Sequence, residues 1–302
     1  MTELEQVVQN SQKLRPRTRT IYLASVRAFL AFTKHNPRAW TGPAVEAWRD
    51  QLKRSLQPQT VNLYLDGLRY ATKRLAERDQ DPRKDFARYA EKLAPGPRAK
   101  RIPLTIPEAQ RLLVTCARNT PHDLRDRAIL TLGLRCGIRC AGLCSIDLGP
   151  GTRGRGSLVD RRLIIINKGG KPYELPALDD VTLHGLTPWI EWLRKHDARS
   201  GPLFRALGRV GLDAPITPSA TPLTTGSLYR AVKTRARAVG LGDRVSPHVF
   251  RHTCISWMAA AGASLVKIRE LTGQKTDDVI RDYIQDTTSV TDPPGNYLPE
   301  LE

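Results

Sequence analysis

Arg139, Lys168, His248, Arg251 and Tyr283 are residue types that can handle a phosphodiester. Guanidinium forks grip non-bridging oxygens, an ammonium or an imidazole carries a proton, and a phenolate is an oxygen nucleophile. Two of them sit in Ser246-Pro-His-Val-Phe-Arg-His-Thr253, where a Ser N-cap and a Pro at the first helical position predict a helix. That helix places His248, Arg251 and His252 at i, i+3 and i+4 on one face. His252 is read as structural, bonding backbone. The run Cys254–Ala261 carries the helix to Gly262, a second short helix follows over Ser264–Thr272, and Gly273 breaks it. Thr276, Asp277 and Asp278 resemble the acidic start of one more turn ending near Tyr283.

The other two residues lie upstream. Arg139 follows Gly137 at the head of a helical segment, where a helix N-terminus already favours an anion. Lys168 lies in the turn Asn167-Lys-Gly-Gly-Lys171, between the β-branched run Leu163–Ile166 and Tyr173–Pro176, which predicts a β-hairpin. Lys168 and Lys171 both lie at its tip region. No cluster of paired carboxylates lies near these residues, which disfavours a two-metal mechanism, and no P-loop is present. Cys136, Cys140 and Cys144 are spaced to share one helix face, but without a second ligand pair they read as small buried residues rather than as a metal site. Neither a metal nor another cofactor is expected.

Lys plus Arg number 48 against 30 Asp plus Glu in 302 residues, a formal charge of +18, which implies a polyanionic partner. No apolar run approaches the ~20 residues that span a bilayer, so no membrane partner is expected. The absence of a signal peptide and the use of cysteine predict reduced thiols and a cytoplasmic, DNA-associated protein.

The chain reads as two domains. Residues 1–15 are a polar lead-in, flexible or partly helical. Residues 16–94 form a helical domain, with long helices marked by Tyr22, Val26, Phe29 and Leu30 and by Val61, Leu65, Leu68 and Leu75, a shorter helix over Pro43–Leu52, and a fourth over Pro82–Leu93. Residues 1–99 hold 19 basic against 10 acidic side chains, half of the excess charge in a third of the chain. Arg15, Arg17, Arg19, Lys73, Arg74 and Arg78 are candidate phosphate contacts there.

Pro95, Gly96, Pro97 and Pro103 interleave with Arg98, Lys100 and Arg101 in a basic linker over 95–103. Residues 104–287 then form the second domain. It has helices over 105–118, opened by a Thr105/Glu108 capping box, and over 121–135, 180–197 and 226–239. The hairpin, a loosely ordered loop over 149–156 and a long Pro/Gly/Thr-rich loop over 201–224 complete it. Arg230 and Lys233 on the last of these helices, with Lys171, are further candidate DNA contacts. A tail over 288–302 follows.

Gly137-Ile-Arg139 with Leu143 and Asp147, Asn-Lys168-Gly-Gly-Lys171, His248-x-x-Arg251-His252-Thr253, and Gly273 followed by Tyr283 together resemble the motifs of the tyrosine recombinases, the family of phage integrases and Xer-type recombinases. The Pro16-Arg17-Thr18 entry to a Tyr- and Phe-bearing helix is similar to that family's core-binding domain. The resemblance implies a mainly α fold with a small β-sheet or hairpin in the catalytic domain, an α+β arrangement. It implies site-specific DNA strand exchange through a 3′-phosphotyrosine, independent of metal and ATP, for a mobile element or in Xer-like resolution. By the same resemblance Tyr283 is the nucleophile, Arg139 and Arg251 hold the scissile phosphate, Lys168 is the general acid and His248 transfers protons. The partner is duplex DNA with inverted-repeat half-sites, bound by a dimer per site and a tetramer in synapsis, with accessory proteins as an open matter.

Two positions depart from the pattern. Gln274 stands where a second histidine or a tryptophan usually bonds the phosphate; its amide can donate but cannot titrate. Gly142 replaces an acidic residue that commonly steadies the first arginine. The alternative is therefore a catalytically impaired DNA-binding protein that keeps the fold. Tyr297, in the Pro-rich tail, is a poor candidate nucleophile.

Overall fold

The computed structural model describes residues 1–94, 96, 102–152, 154–166, 170–209, 214–242 and 244–273. The chain divides into two compact units, Met1–Lys100 and Arg101–Glu302. Among the described residues no helix is long and apolar enough to cross a membrane.

The first unit is helical: α1 (Glu3–Gln9), α2 (Pro16–Phe32), α3 (Gly42–Lys53) and α4 (Pro58–Asp79). Proline at the first or second position of α2, α3 and α4 costs no helical hydrogen bond, because those N–H groups lack a helical partner anyway. The lead-in is partly helical, one of the two forms expected for it. Thr2 and Glu5 form a reciprocal capping box on α1, and Leu4 and Val8 are buried against Leu23, Val26, Leu30, Ala71 and Leu75. Arg19, a candidate phosphate contact, donates to the carbonyls of Ser11 (2.7 Å) and Leu14 (3.4 Å), closing the turn between α1 and α2. Phe29, Val45, Trp48, Val61, Leu65 and Leu68 make a second cluster.

The fourth helix expected over Pro82–Leu93 is absent; a single 3-10 turn, Pro82–Lys84, stands there. The segment makes only local turns, such as Asp85 N–H to the Pro82 carbonyl and Arg88 N–H to the Asp85 carbonyl, and side chains of α4 take further backbone groups. Asn62 bonds both the N–H and the C=O of Leu93 at 2.8 Å, and Arg69 donates to the carbonyls of Ala87 and Ala90.

The second unit is built around α6 (Pro121–Cys136), whose Ala128, Ile129, Leu130, Leu132 and Leu134 are buried. Around it lie α5 (Ile106–Val114), α7 (Cys140–Cys144), α8 (Asp180–Lys195), α9 (Thr225–Ala238), α10 (Pro247–Ala260) and α11 (Leu265–Thr272). The helix from Thr105 stops at Val114, four residues short of expectation, in a series of turns.

A five-stranded sheet has the order β4-β3-β2-β1-β5, from β1 (Ile146–Leu148), β2 (Gly156–Val159), β3 (Arg162–Ile166), β4 (Pro172–Glu174) and β5 (Gly201–Pro202). The β1–β2 pair is parallel and the rest are antiparallel. The expected hairpin is β3–β4, with Ile164 opposite Glu174 and Ile166 opposite Pro172.

The expected loop over 201–224 holds β5 and a second antiparallel pair, β6 (Arg205–Gly208) with β7 (Thr217–Pro222). Arg205 is the reason: it is buried, and its guanidinium donates to the carbonyls of Pro202, Ser200 and Ser219, stitching the three strands together. The 149–156 loop is likewise pinned. Buried Asp147 accepts from Arg155 Nε (2.6 Å) and from the Thr152 hydroxyl (2.8 Å).

Candidate active site

Arg139 owes its place to the end of α6. Gly137 is the C-cap, with φ +59° in the left-handed region that favours glycine, and the chain turns there into Ile138 and Arg139. Arg139 is the extended N-cap residue of α7 and is exposed. Among the described residues no hydrogen bond or ion pair engages its guanidinium. Gly142 is buried, and a Cβ there would stand 2.9 Å from Ile138 Cγ2, so the acidic residue the family pattern puts there would have to displace Ile138.

The left-handed turn also separates the cysteines expected on one face. Cys136 ends α6, whereas Cys140 and Cys144 belong to α7. Burial pushes the Cys136 and Cys254 thiols up to about 12, so both are inert packing residues. Among the described residues no group of three His, Cys, Asp or Glu could hold a metal.

α10 supplies His248 and Arg251. Ser246 is its N-cap by backbone conformation, without a side-chain bond, and Pro247 is at the first position. The helix approaches α6 closely at Gly133, where a Cβ would stand 2.8 Å from Phe250. That contact sets α10 beside the Gly137 turn. His248 is exposed, whereas His252 is buried with Thr253. Thr253 Oγ1 accepts from the Leu104 N–H and Trp257 Nε1 donates to the Leu104 carbonyl, both at 2.9 Å.

Arg251 is only 2% exposed. One terminal nitrogen donates to the Gly137 carbonyl and the other to the Thr272 carbonyl, each at 2.8 Å. It thereby joins the turn that leads to Arg139 to the end of α11. α11 starts at Ser264, whose hydroxyl accepts from Lys267 N, and ends at Gly273 in a left-handed C-cap, both boundaries as expected. Tyr173 of β4 is not among the expected site residues. The hydroxyl of this half-buried side chain donates to the Glu270 carbonyl in the last turn of α11, a partner 97 residues away that no local sequence signal announces.

The structure thus brings Arg139's turn, α10, strand β4 and the end of α11 together. Lys168, Gln274 and Tyr283 lie outside the described residues, as do the acidic turn after Thr276, Arg98, Lys100, Arg101 and Tyr297. Of the remaining candidate contacts, Arg15, Arg17, Lys73 and Lys171 are exposed. Arg74 pairs with Glu77 at 2.6 Å and Arg78 with Asp79 at 2.5 Å. Arg230 donates to Ser227 Oγ and Lys233 to the Gly242 carbonyl.

A family model described as the phage integrase family matches residues 103–289, and another, described as the phage integrase N-terminal SAM-like domain, matches residues 1–81. The chain belongs to the phage integrase family, the tyrosine recombinases.

Its relatives include a tyrosine recombinase of Synechococcus elongatus, 31% identical over 189 residues, covering 59% of this chain and 55% of that protein. Tyrosine recombinase XerC of Chromohalobacter salexigens is 27% identical over 181 residues, covering 59% and 53%. The match thus spans about half the length of these two relatives. XerC of Corynebacterium efficiens is 25% identical over 257 residues, covering 84% of this chain and 73% of that protein.

Among solved structures, XerH site-specific recombinase bound to palindromic difH substrate in a post-cleavage complex has a TM-score of 0.68 at 14% identity, covering 94% of this chain and 80% of that one. A lambda integrase tetramer bound to a Holliday junction has a TM-score of 0.66 at 16% identity, covering 99% and 78%. At these identities the likeness is one of fold.

Proposed function

We propose that the protein is a site-specific DNA recombinase that cleaves and rejoins strands through a 3′-phosphotyrosine on Tyr283. The observation that carries this reading is the Arg251 clamp. One buried guanidinium holds both the turn that presents Arg139 and the helix end from which the chain continues to Gln274 and Tyr283.

In the reaction the Tyr283 oxygen attacks phosphorus, its O–P bond forms, and the bond from phosphorus to the 5′-oxygen breaks. A free phenol has a pKa of about 10, so His248 takes part in moving its proton, and Lys168 protonates the departing 5′-oxygen. Arg139 and Arg251 stabilise the charge on the non-bridging oxygens of the pentavalent transition state, and the Gln274 amide donates to one of them. Rejoining reverses these steps on a second strand. No metal or ATP is needed, because the phosphotyrosine stores the bond.

The substrate is duplex DNA with inverted-repeat half-sites, bound by a dimer at each site and a tetramer at synapsis. Relatives of the same fold support this, being seen on a difH substrate after cleavage and as a tetramer on a Holliday junction. The role is integration or excision of a mobile element, or Xer-like resolution.

The test is a duplex nicked just beyond the scissile phosphate, so that the cleaved 5′ fragment diffuses away. Wild-type protein is expected to trap a covalent protein–DNA adduct and Tyr283→Phe none. A wild-type protein that binds DNA but traps nothing would instead be a DNA-binding protein that has kept the fold. Gln274 and Gly142 are the sequence features that favour that second reading.

A further inference from the structure

A helix leaves its last four carbonyls without helical partners. At the end of α11 these carbonyls are met from three directions. The Gly273 N–H bonds the Arg269 carbonyl at 2.8 Å, Arg251 of α10 takes that of Thr272, and Tyr173 of β4 takes that of Glu270, with the Arg269 carbonyl 3.5 Å from the same hydroxyl. Tyr173 is the central residue of the edge strand, paired with Ile165 of β3, and its ring packs on the core of the unit. Burial, reinforced by the nearby Glu270 carboxylate, pushes its phenol pKa up, so the hydroxyl stays a protonated donor through the neutral range.

We propose that the Tyr173 hydroxyl is a positioning latch for strand cleavage, tying the β3–β4 hairpin, whose turn sequence carries Lys168, to the last turn of α11. The hydroxyl is spent on protein carbonyls, so its part is to position and not to react. The latch keeps the proton donor to the leaving group in register with the chain segment that continues from α11 to the nucleophile. This rests on the recombinase reading above and adds to it a residue outside the family's motifs.

Tyr173→Phe keeps the ring and its packing and removes only the donor. The full-length protein is assayed on the nicked duplex with two leaving groups, the natural 5′-oxygen and a bridging 5′-sulfur, whose thiolate departs without being protonated. Single-turnover adduct formation by the variant is expected to be about fivefold to tenfold slower than wild type on oxygen and within about twofold of wild type on sulfur. DNA affinity and melting temperature are expected to stay at wild-type values.

A variant that matches wild type on oxygen, or that is slowed equally on both substrates, overturns the latch while leaving the recombinase reading intact. So does a slowing that comes with a lowered melting temperature, which would make the bond a structural one. Wild-type protein that forms no adduct on either substrate overturns both.

Discussion

Arg235 and Arg251 sit on neighbouring helices of the same unit, and the two are held in opposite ways. Arg235 of α9 donates to the carboxylates of Asp123 (2.7 Å) and Asp126 (2.9 Å) on α6. Arg251 of α10 donates to main-chain carbonyls. A carboxylate offsets the charge of a guanidinium, whereas a carbonyl is a dipole that orients it. The first arrangement is a rivet between two helices. The second keeps a cation in a fixed pose at the meeting point of three elements, which is what a phosphate transition state needs from its surroundings. From the sequence both are simply arginines within helices, and the 226–239 helix looked like a basic face, although one of its arginines is consumed inside the fold.

Substitutions can break this contrast. Arg235→Ala leaves buried Asp123 without its counter-ion, while Asp126 keeps Arg125 at 2.9 Å, and should cost about 3 kcal/mol of stability, read as a fall in the urea midpoint. If the unfolding curve does not move, the rivet description is wrong. Arg139→Ala should do the reverse. With no bond to an intramolecular partner among the described residues, it should leave the melting temperature unchanged while slowing adduct formation by roughly a hundredfold to a thousandfold, the usual cost of losing one preorganised donor.

Gly137→Ala puts a side chain in left-handed backbone. It should cost about 1–2 kcal/mol and slow cleavage as well, because the turn that carries Arg139 is the one that strains. A variant that loses stability at full cleavage rate would separate the turn from the chemistry.

The smallest effect is set by pH. Asp179 caps α8, and its hydrogen bond from Arg135, near the end of α6, outweighs burial and holds its carboxyl down from the ordinary 3.8 to about 2. A depressed folded-state pKa means stability that is complete above about pH 4 and lost as the pH falls towards 2. Asp179→Asn should therefore be less stable than wild type at neutral pH by under about 1 kcal/mol, since the pair is exposed to solvent, and the gap should close in acid. Denaturation curves across that range check the sign.

The parts legible in the sequence are those fixed by local chemistry. Ser264 and Gly273 bound α11 because a hydroxyl cap and a left-handed glycine act within one turn of chain. The Leu163–Ile166 run and the turn after it specify β3–β4 in the same way. What escaped depends on distant partners. β6 and β7 exist because Arg205 gathers three carbonyls, and Thr217–Pro222 read alone is only a Pro/Thr-rich loop. The segment after Pro82 is amphipathic enough to suggest a helix, yet Asn62 and Arg69 claim its backbone for α4.

α1 is a different case. The lead-in reads as flexible or partly helical, and the Thr2/Glu5 box with buried Leu4 and Val8 makes it the latter over Glu3–Gln9. At the site the motifs placed His248 and Arg251 correctly on one helix. That Arg251 is buried, and that Tyr173 joins it at the end of α11, could be seen only once the elements were packed.

Leu104 carries a practical consequence for anyone dissecting the molecule. Both of its main-chain polar groups are spent on α10, through Thr253 and Trp257, and its side chain is buried. A fragment intended to keep the chemistry must begin upstream of it. Starting even one residue later would strip two bonds from the helix that holds His248 and Arg251, and a loss of cleavage in such a fragment would say nothing about the DNA contacts of the part removed.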